Sequence, residues 1–126
     1  MIVLDAAILI AHLGVEDPHA EAALEILDTE ERLAIHPLSL AEVLVHPARS
    51  GTESQTLEVI EKLGIEQVSH APGEPVELAR IRAATGLKMP DCCVLVAAER
   101  EASSLATFDR RLGEVARNRG VNVVGC

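Results

Sequence analysis

The chain has 126 residues, a formal net charge of −9 and 48% hydrophobic residues, but its only aromatic residue is Phe108. Its length predicts one domain over residues 1–126. The near-absence of aromatic side chains argues against a stacking platform for single-stranded nucleic acid, and no apolar run reaches the ~18–20 residues of a membrane span. The start lacks the basic residues and cleavage site of a signal peptide, so we expect a cytoplasmic protein with no membrane partner.

Short apolar runs alternate with longer helical segments along the chain. The predicted strands cover residues 1–4, 33–36, 65–69, 104–107 and 121–124. The predicted helices cover residues 6–13, 18–28, 39–49, 53–63, 76–86, 91–102 and 109–119. Strands separated by helices of this length need crossover connections, which produce a mostly parallel sheet with helices on both faces. The predicted fold is therefore a three-layer α/β/α sandwich.

The negative charge is concentrated in the first half of the chain. Residues 1–63 hold 12 acidic and 3 basic residues, whereas residues 64–126 hold 8 of each. This distribution excludes a general electrostatic attraction to nucleic acid, so any such contact must be local. Five basic residues could supply a local contact with nucleic acid: Arg80, Arg82, Lys88, Arg110 and Arg111. The alternative is that they simply lie on solvated helix faces.

The cysteines and histidines give no sign of a disulfide framework or a zinc motif. Three cysteines, two of them adjacent, form no C-x-x-C pattern, and we expect small buried side chains and a free terminal thiol. The five histidines lack the paired spacing of zinc ligands, and we expect surface or packing roles. They are His12, His19, His36, His46 and His70.

Four acidic residues lie where a predicted helix starts on the carboxyl side of the predicted sheet. Asp5 closes the first strand, and Glu42 lies in the first turn of the third helix. Asp91 opens the sixth helix, and Asp109 follows the fourth strand by two residues. In a doubly wound sheet this edge is where sites form, so these four carboxylates are predicted to meet in space.

Helix capping is the alternative explanation for each acid taken singly. Ser39 and Glu42 have the spacing of a capping box, and Asp109 can cap the last helix. Capping does not explain why Asp5 and Asp91 lie within strongly apolar segments, where an uncharged Ser or Asn would serve as well.

A cluster of carboxylates requires cations or protons. Two carboxylates ~5 Å apart repel by roughly 3 kcal/mol at an effective dielectric constant near 20. Ligation by oxygen alone favours Mg²⁺ or Mn²⁺ over zinc. Such an ion activates water and neutralises charge on a phosphate, so the predicted chemistry is hydrolysis of phosphodiester bonds.

Four blocks of sequence, MIVLDAAILIA, PLSLAEVLVHPAR, TGLKMPDCCVLVAA and SLATFDRRL, resemble in order the PIN-domain ribonucleases, specifically the VapC-type toxins of toxin-antitoxin pairs. The resemblance covers nearly the whole chain and implies a five-stranded parallel sheet. It also implies catalytic and metal-binding roles for four acids and an ordering role for the Thr107 hydroxyl. Those acids are Asp5, Glu42, Asp91 and Asp109.

The resemblance further implies Mg²⁺- or Mn²⁺-dependent endoribonuclease activity, a homodimer, and inhibition by a small VapB-like antitoxin whose tail covers the site. The acidic first half of the chain suits an antitoxin segment rich in Arg or Lys. Arg110 and Arg111 adjoin Asp109 and are candidate contacts to a substrate phosphate, or else simple surface residues.

Two positions depart from the family pattern. Ala7 replaces a small polar residue two positions after the first acid, and Arg111 replaces a further acid after the fourth. We therefore expect a weaker metal site or one with a single ion. Two alternatives stay open: a non-catalytic PIN-like interaction module, which would bind metal without cleaving RNA, and a phosphate-accepting receiver domain, which would be labelled by acetyl phosphate. The receiver fits less well because Asp5 is unpaired and no lysine closes a late strand.

Overall fold

The computed structural model describes residues 1–126 as five parallel strands and seven helices, with the strand order β3-β2-β1-β4-β5. The strands are β1 (Ile2–Leu4), β2 (Leu33–Ile35), β3 (Ile65–Gln67), β4 (Ser104–Ala106) and β5 (Val123–Val124). The helices are α1 (Ala6–Leu13), α2 (Ala20–Leu27), α3 (Pro37–Arg49), α4 (Glu53–Lys62), α5 (Glu74–Thr85), α6 (Met89–Arg100) and α7 (Arg110–Asn118). The predicted parallel α/β fold is confirmed.

The central strand β1 is buried on both faces, as expected of a parallel sheet. Ile2 and Leu4 pack into one core with residues of α1–α4, whereas Val3, between them, packs into a second core with residues of α5–α7. The alternation of side chains along a strand therefore divides the molecule into two cores. The result is the predicted sandwich, with α1–α4 on one face of the sheet and α5–α7 on the other.

The strand order reverses beside β1. The chain moves outward from β1 through β2 to β3, and then crosses to the other side of β1 to form β4 and β5. In the parallel register, Leu4 is opposite Ile35 of β2 and Ala106 of β4. The carboxyl ends of β1 and β4 thus lie at the topological switch point, where doubly wound sheets form their binding crevices.

The start of α3 differs from the prediction. The helix begins at Pro37, and its N-cap is His36, whose Nδ1 accepts a hydrogen bond from the Leu38 amide at 3.0 Å. The predicted capping box of Ser39 and Glu42 is therefore wrong: the buried Ser39 hydroxyl has no partner. Glu42 consequently lies in the second turn rather than the first. Proline at the first position suits this start because it has no amide hydrogen to satisfy.

The apolar helix α6 lies at the centre of its layer, as its sequence predicts. Every residue from Cys92 to Ala98 is buried. The predicted cap of α7 is also confirmed, since the Asp109 side chain accepts a hydrogen bond from the Leu112 amide at 3.1 Å. None of the helices has the length and hydropathy needed to cross a membrane.

Candidate active site

Thr107 joins two of the predicted acids at the switch point. Its buried hydroxyl donates to Asp5 Oδ2 at 2.8 Å and accepts from the Asp109 amide at 3.0 Å. The Asp5 amide also donates to the carbonyl of Ala106, the last residue of β4, at 2.9 Å. The side chain that follows β4 therefore fixes the orientation of the carboxylate that follows β1.

Asp5 lies in an environment that disfavours its charged form. Burial raises the pKa of Asp5 above its usual value, although the hydrogen bond from Thr107 and a backbone hydrogen bond act in the opposite direction. The negative charge of Asp109 raises this pKa further. Asp5 is thus close enough to Asp109 for their charges to interact.

Asp91 and Glu42 belong to the same electrostatic cluster. Burial and then the charges of Asp5, Asp109 and Glu42 raise the pKa of Asp91 to about 6, against which Lys88 acts as a nearby cation. Glu42 is exposed as a residue, but desolvation of its carboxyl group and the charge of Asp5 raise its pKa as well. The charges of the other three sequence-predicted acids therefore all act on Asp91 at the carboxyl edge of the sheet.

The cluster is open rather than tightly closed. No three of these carboxylates have oxygens that all lie within 4.8 Å of one another. Oxygen-only donors are the type that a hard divalent cation such as Mg²⁺ or Mn²⁺ prefers, and such ions also keep several of their own water ligands. The accumulated negative charge supplies the attraction for that ion.

The two arginines after Asp109 differ in their surroundings. Arg111 donates to the carbonyl of Thr85, and Arg82 donates to the carbonyl of Leu87 at 2.6 Å. Both arginines hold the loop that leads into α6, so the Arg111 side chain is engaged within the protein. Arg110 is exposed, which leaves its guanidinium accessible to a ligand.

A groove of about 460 Å³ runs beside the acid cluster between α1, α3 and α4. Its apolar lining includes Ile10, Leu13, Val43 and Val59, and Glu42 belongs to both the groove and the acid cluster. Ile10 and Val59 are 47% and 44% exposed, so the groove offers uncovered apolar surface next to negative charge.

The sequence model of the PIN domain matches residues 2–118. The chain belongs to the PIN domain family. Membership of this family excludes the receiver-domain alternative and agrees with the resemblance found in the sequence. Among curated proteins, none matches the chain significantly.

Solved structures share the fold of this PIN domain. A toxin-antitoxin complex from Klebsiella pneumoniae aligns with a TM-score of 0.74 and 22% identity over 90% of each chain. FitAcB from Neisseria gonorrhoeae aligns with a TM-score of 0.71 and 19% identity, covering 98% of this chain and 96% of that one. A VapBC complex from Rickettsia felis, bound to a DNA fragment from its promoter, aligns with a TM-score of 0.70 and 17% identity, covering 98% and 97%. At these identities the similarity establishes the fold.

One polar cluster of the PIN domain was missed by the sequence analysis. His36, His70 and Glu74 converge at the carboxyl ends of β2 and β3, and His36 and Glu74 are buried. His36 is buried and hydrogen bonded within the protein, which agrees with the expected packing role, but its convergence with His70 and Glu74 was not predicted. The available signal was a histidine directly after a strand, together with the His70-x-x-x-Glu74 spacing.

Proposed function

We propose that this PIN domain, residues 1–126, is a Mg²⁺- or Mn²⁺-dependent endoribonuclease, the toxin of a toxin-antitoxin pair. The observation that carries the proposal is the convergence of four carboxylates at the switch point, where Thr107 joins Asp5 to the Asp109 backbone. Family membership supports nuclease chemistry at this site. The pKa of Asp91, which burial and then three neighbouring carboxylates raise, supports cation binding there.

Each acid has a role in the proposal. Asp5 and Asp91 are the principal metal ligands, because they are the more buried pair and because Asp5 is the carboxylate whose charge acts most strongly on Asp91. Glu42 and Asp109 hold the ion directly or through water. When bound, the cation activates water and offsets negative charge on the scissile phosphate. Thr107 keeps the Asp5 carboxylate oriented, and Arg110 binds a flanking RNA phosphate.

The proposal includes an antitoxin as the protein partner. The groove between α1, α3 and α4 offers apolar surface that ends at Glu42. A VapB-like segment with an apolar anchor followed by Arg or Lys would fill the groove and place its positive charge on the acids. The similarity to a Klebsiella pneumoniae toxin-antitoxin complex supports an antitoxin as the partner. We expect a protein with this substrate and this partner to act in the cytoplasm.

A homodimer is also part of the proposal. Exposed apolar side chains on separate helices, including Val45, Val76 and Met89, supply candidate surface for contacts between two copies. Light scattering on the purified protein measures this state directly. A monomeric mass at micromolar concentration would remove the homodimer from the proposal without affecting the acid site.

The proposed activity is tested by incubating antitoxin-free protein with a panel of structured RNAs in Mg²⁺, Mn²⁺ or EDTA. We expect metal-dependent cleavage that EDTA abolishes. Asp91→Asn should reduce the rate by about 100-fold or more, because it removes a charged ligand while keeping the shape of the side chain. Glu58→Gln, which removes an exposed carboxylate from the middle of α4, is the matched control and should cleave like the wild type.

Cleavage that persists in both EDTA and Asp91→Asn would contradict the metal mechanism. Calorimetric Mn²⁺ binding without cleavage of any RNA would instead favour the non-catalytic interaction module. Ala7, which departs from the family pattern, makes this second outcome worth testing. Restoring a hydroxyl with Ala7→Ser is expected to strengthen Mn²⁺ binding if the missing polar group weakens the site.

A further inference from the structure

A second polar cluster lies on the same edge of the sheet, beside β2 and β3 rather than β1 and β4. His36 follows the last residue of β2, His70 follows β3 by three residues, and Glu74 is the first residue of α5. One possible ligand atom from each side chain lies within 4.8 Å of the other two. No role in the proposed RNA cleavage accounts for this convergence.

The contacts within the cluster are short and centre on Glu74. His36 Nε2 lies 3.2 Å from Glu74 Oε1, and His70 Nδ1 lies 2.6 Å from Glu74 Oε2. The side chains of His36 and Glu74 are 3% and 6% exposed, whereas that of His70 is 59% exposed. The cluster thus has a buried floor, formed by His36 and Glu74, and an open side at His70 through which a solute can enter.

We propose that His36, His70 and Glu74 form a binding site for a Zn²⁺ ion, separate from the acid cluster. Two imidazole nitrogens and one carboxylate are a donor set that Zn²⁺ accepts, with water in the remaining position. Donor atoms around a tetrahedral zinc ion stand roughly 3.3 Å apart, given bonds of about 2.0–2.2 Å. The 3.2 Å separation of His36 Nε2 from Glu74 Oε1 matches this, and the exposed His70 would move outward from its 2.6 Å contact with Oε2. Imidazole donors distinguish this site from the oxygen-only acids, which favour Mg²⁺ or Mn²⁺.

Binding requires each histidine to change its tautomer, so that the ring proton is on the nitrogen that does not bind zinc. His36 Nδ1 accepts a hydrogen bond from the Leu38 amide, so the proton of the neutral ring is on Nε2 and faces Glu74. When Zn²⁺ takes Nε2, this proton transfers through solvent to Nδ1 and the cap on α3 is lost. The His70 proton moves in the same way from Nδ1 to Nε2, which faces solvent. No proton is released overall, and the zinc ion replaces two donors to Glu74.

Zinc binding is therefore coupled to the first turn of α3. That helix carries Glu42, an acid of the candidate active site. The Leu38 amide is the reporter for this coupling, because it loses its His36 acceptor only if Nε2 binds the metal. A purely structural hydrogen-bond network would leave the amide unchanged when zinc is added.

Arg100 is the cation that competes with zinc for Glu74. Its Nη1 lies 3.7 Å from Glu74 Oε1, and its Nη2 lies 3.7 Å from Glu77 Oε2 without forming a hydrogen bond. Arg100 Nη1 also donates to the Ser69 carbonyl at 3.4 Å, so zinc would compete only with long contacts, and the half-exposed Glu77 offers the guanidinium another partner. Removing this positive charge should strengthen zinc binding, an effect opposite to that of removing a ligand.

The test is calorimetric titration of tag-free protein with Zn²⁺ in excess Mg²⁺, which occupies oxygen-only sites. We expect one zinc per chain for the wild type, binding about tenfold or more weaker for His70→Ala, and tighter binding for Arg100→Gln. His46→Ala removes an exposed histidine from the neighbouring helix face and should bind zinc like the wild type. His70 is exposed, so its replacement is expected to leave the fold intact, as circular dichroism will show.

Equal zinc affinity in the wild type and His70→Ala would overturn the proposal, as would the absence of zinc binding to the wild type. An NMR titration supplies the second readout: the Leu38 amide resonance should shift on addition of zinc in the wild type but not in His70→Ala. A Leu38 resonance that does not move while zinc binds would exclude His36 Nε2 as a ligand. Failure of the nuclease proposal would not alter these results, since none of the three variants touches the four acids.

Discussion

Asp91 is a single residue whose charge in the acid cluster lowers the stability of the folded protein. It lies in the first turn of α6, where an acid is favourable for the helix. Nevertheless, burial and three neighbouring carboxylates raise its pKa to about 6. A metal-free protein must therefore keep a disfavoured charge at neutral pH. Such a position is expected where function, rather than folding, determines the residue type.

Asp91→Asn is predicted to stabilise the metal-free protein at neutral pH. The folded-state pKa of about 6 exceeds the ordinary value of 3.8, so the folded protein holds the proton more tightly than the unfolded chain. The contribution of Asp91 to the free energy of unfolding of the wild type therefore falls as the pH rises from 3.8 to about 6. With a discount for solvent exposure, we expect a gain of about 1–2 kcal/mol at pH ~7.5 for the variant.

Thermal unfolding in EDTA measures this gain, which corresponds to roughly 3–8 °C in Tm. The difference between wild type and Asp91→Asn should shrink towards pH ~4, where the native carboxyl is already protonated. Glu58→Gln controls for the loss of one negative charge from an acidic protein. An advantage for Asp91→Asn that stayed constant from pH ~4 to ~7.5 would show that the carboxylate charge is not its cause.

The helices and strands themselves follow from local sequence pattern. Apolar runs predicted all five strands, and the continuous apolar face of residues 92–98 predicted a central helix. The start of α3 was not predictable in this way. His36 serves as a cap because Glu74, 38 residues later in the chain, holds the other side of its ring. Local patterns favoured the Ser39 capping box since they carry no information about that distant contact.

The burial of α6 predicts an unequal reactivity of the three thiols. Cys92 and Cys93 are buried, and burial raises the pKa of both, that of Cys93 to about 11. Cys126 is exposed. Because the thiolate is the reactive form, a disulfide reagent at pH ~8 should modify one thiol rapidly in the native protein and all three in denaturant. Cys126→Ser should remove the rapid phase, and two rapid thiols in native protein would contradict the packing of α6.

At the scale of the whole molecule, the parallel topology explains why the acid cluster could be predicted and the histidine cluster could not. Asp5 and Asp109 directly precede a helix, and Asp91 and Glu42 lie in the first two turns of one, so topology places all four near one another at the carboxyl edge. The distances between them were not predictable. His36, His70 and Glu74 meet through the register of β2 with β3 and the position of α5, neither of which a residue spacing encodes.

The acid cluster also spans both halves of the sandwich. Asp5 and Glu42 are carried with the α1–α4 layer, whereas Asp91 and Asp109 belong to the α6 and α7 side of the sheet. A cation held by acids from both layers binds only the folded protein. Mn²⁺ is therefore predicted to raise Tm, by the equivalent of about 2.7 kcal/mol when its concentration is 100 times the Kd.

A thermal shift series with increasing Mn²⁺ checks this prediction. The shift should be lost on chelation and in Asp91→Asn, and kept in Glu58→Gln. An equal shift in Asp91→Asn and the wild type would mean that the ion stabilises the fold from some other location.

The hydrogen bond from Thr107 to Asp5 joins residues 102 positions apart, and this has a consequence during translation. A ribosome adding about 5–20 residues per second needs roughly 5–20 s to make the segment between them. Throughout that time β1 has no β4 beside it, and Asp5 lacks both the Thr107 hydroxyl and the Asp109 charge. A nascent chain cannot assemble the acid cluster. If the cluster is the active centre of a toxin, the incomplete chain has no activity while it is being translated. An inhibitor has those seconds in which to bind before the active centre forms.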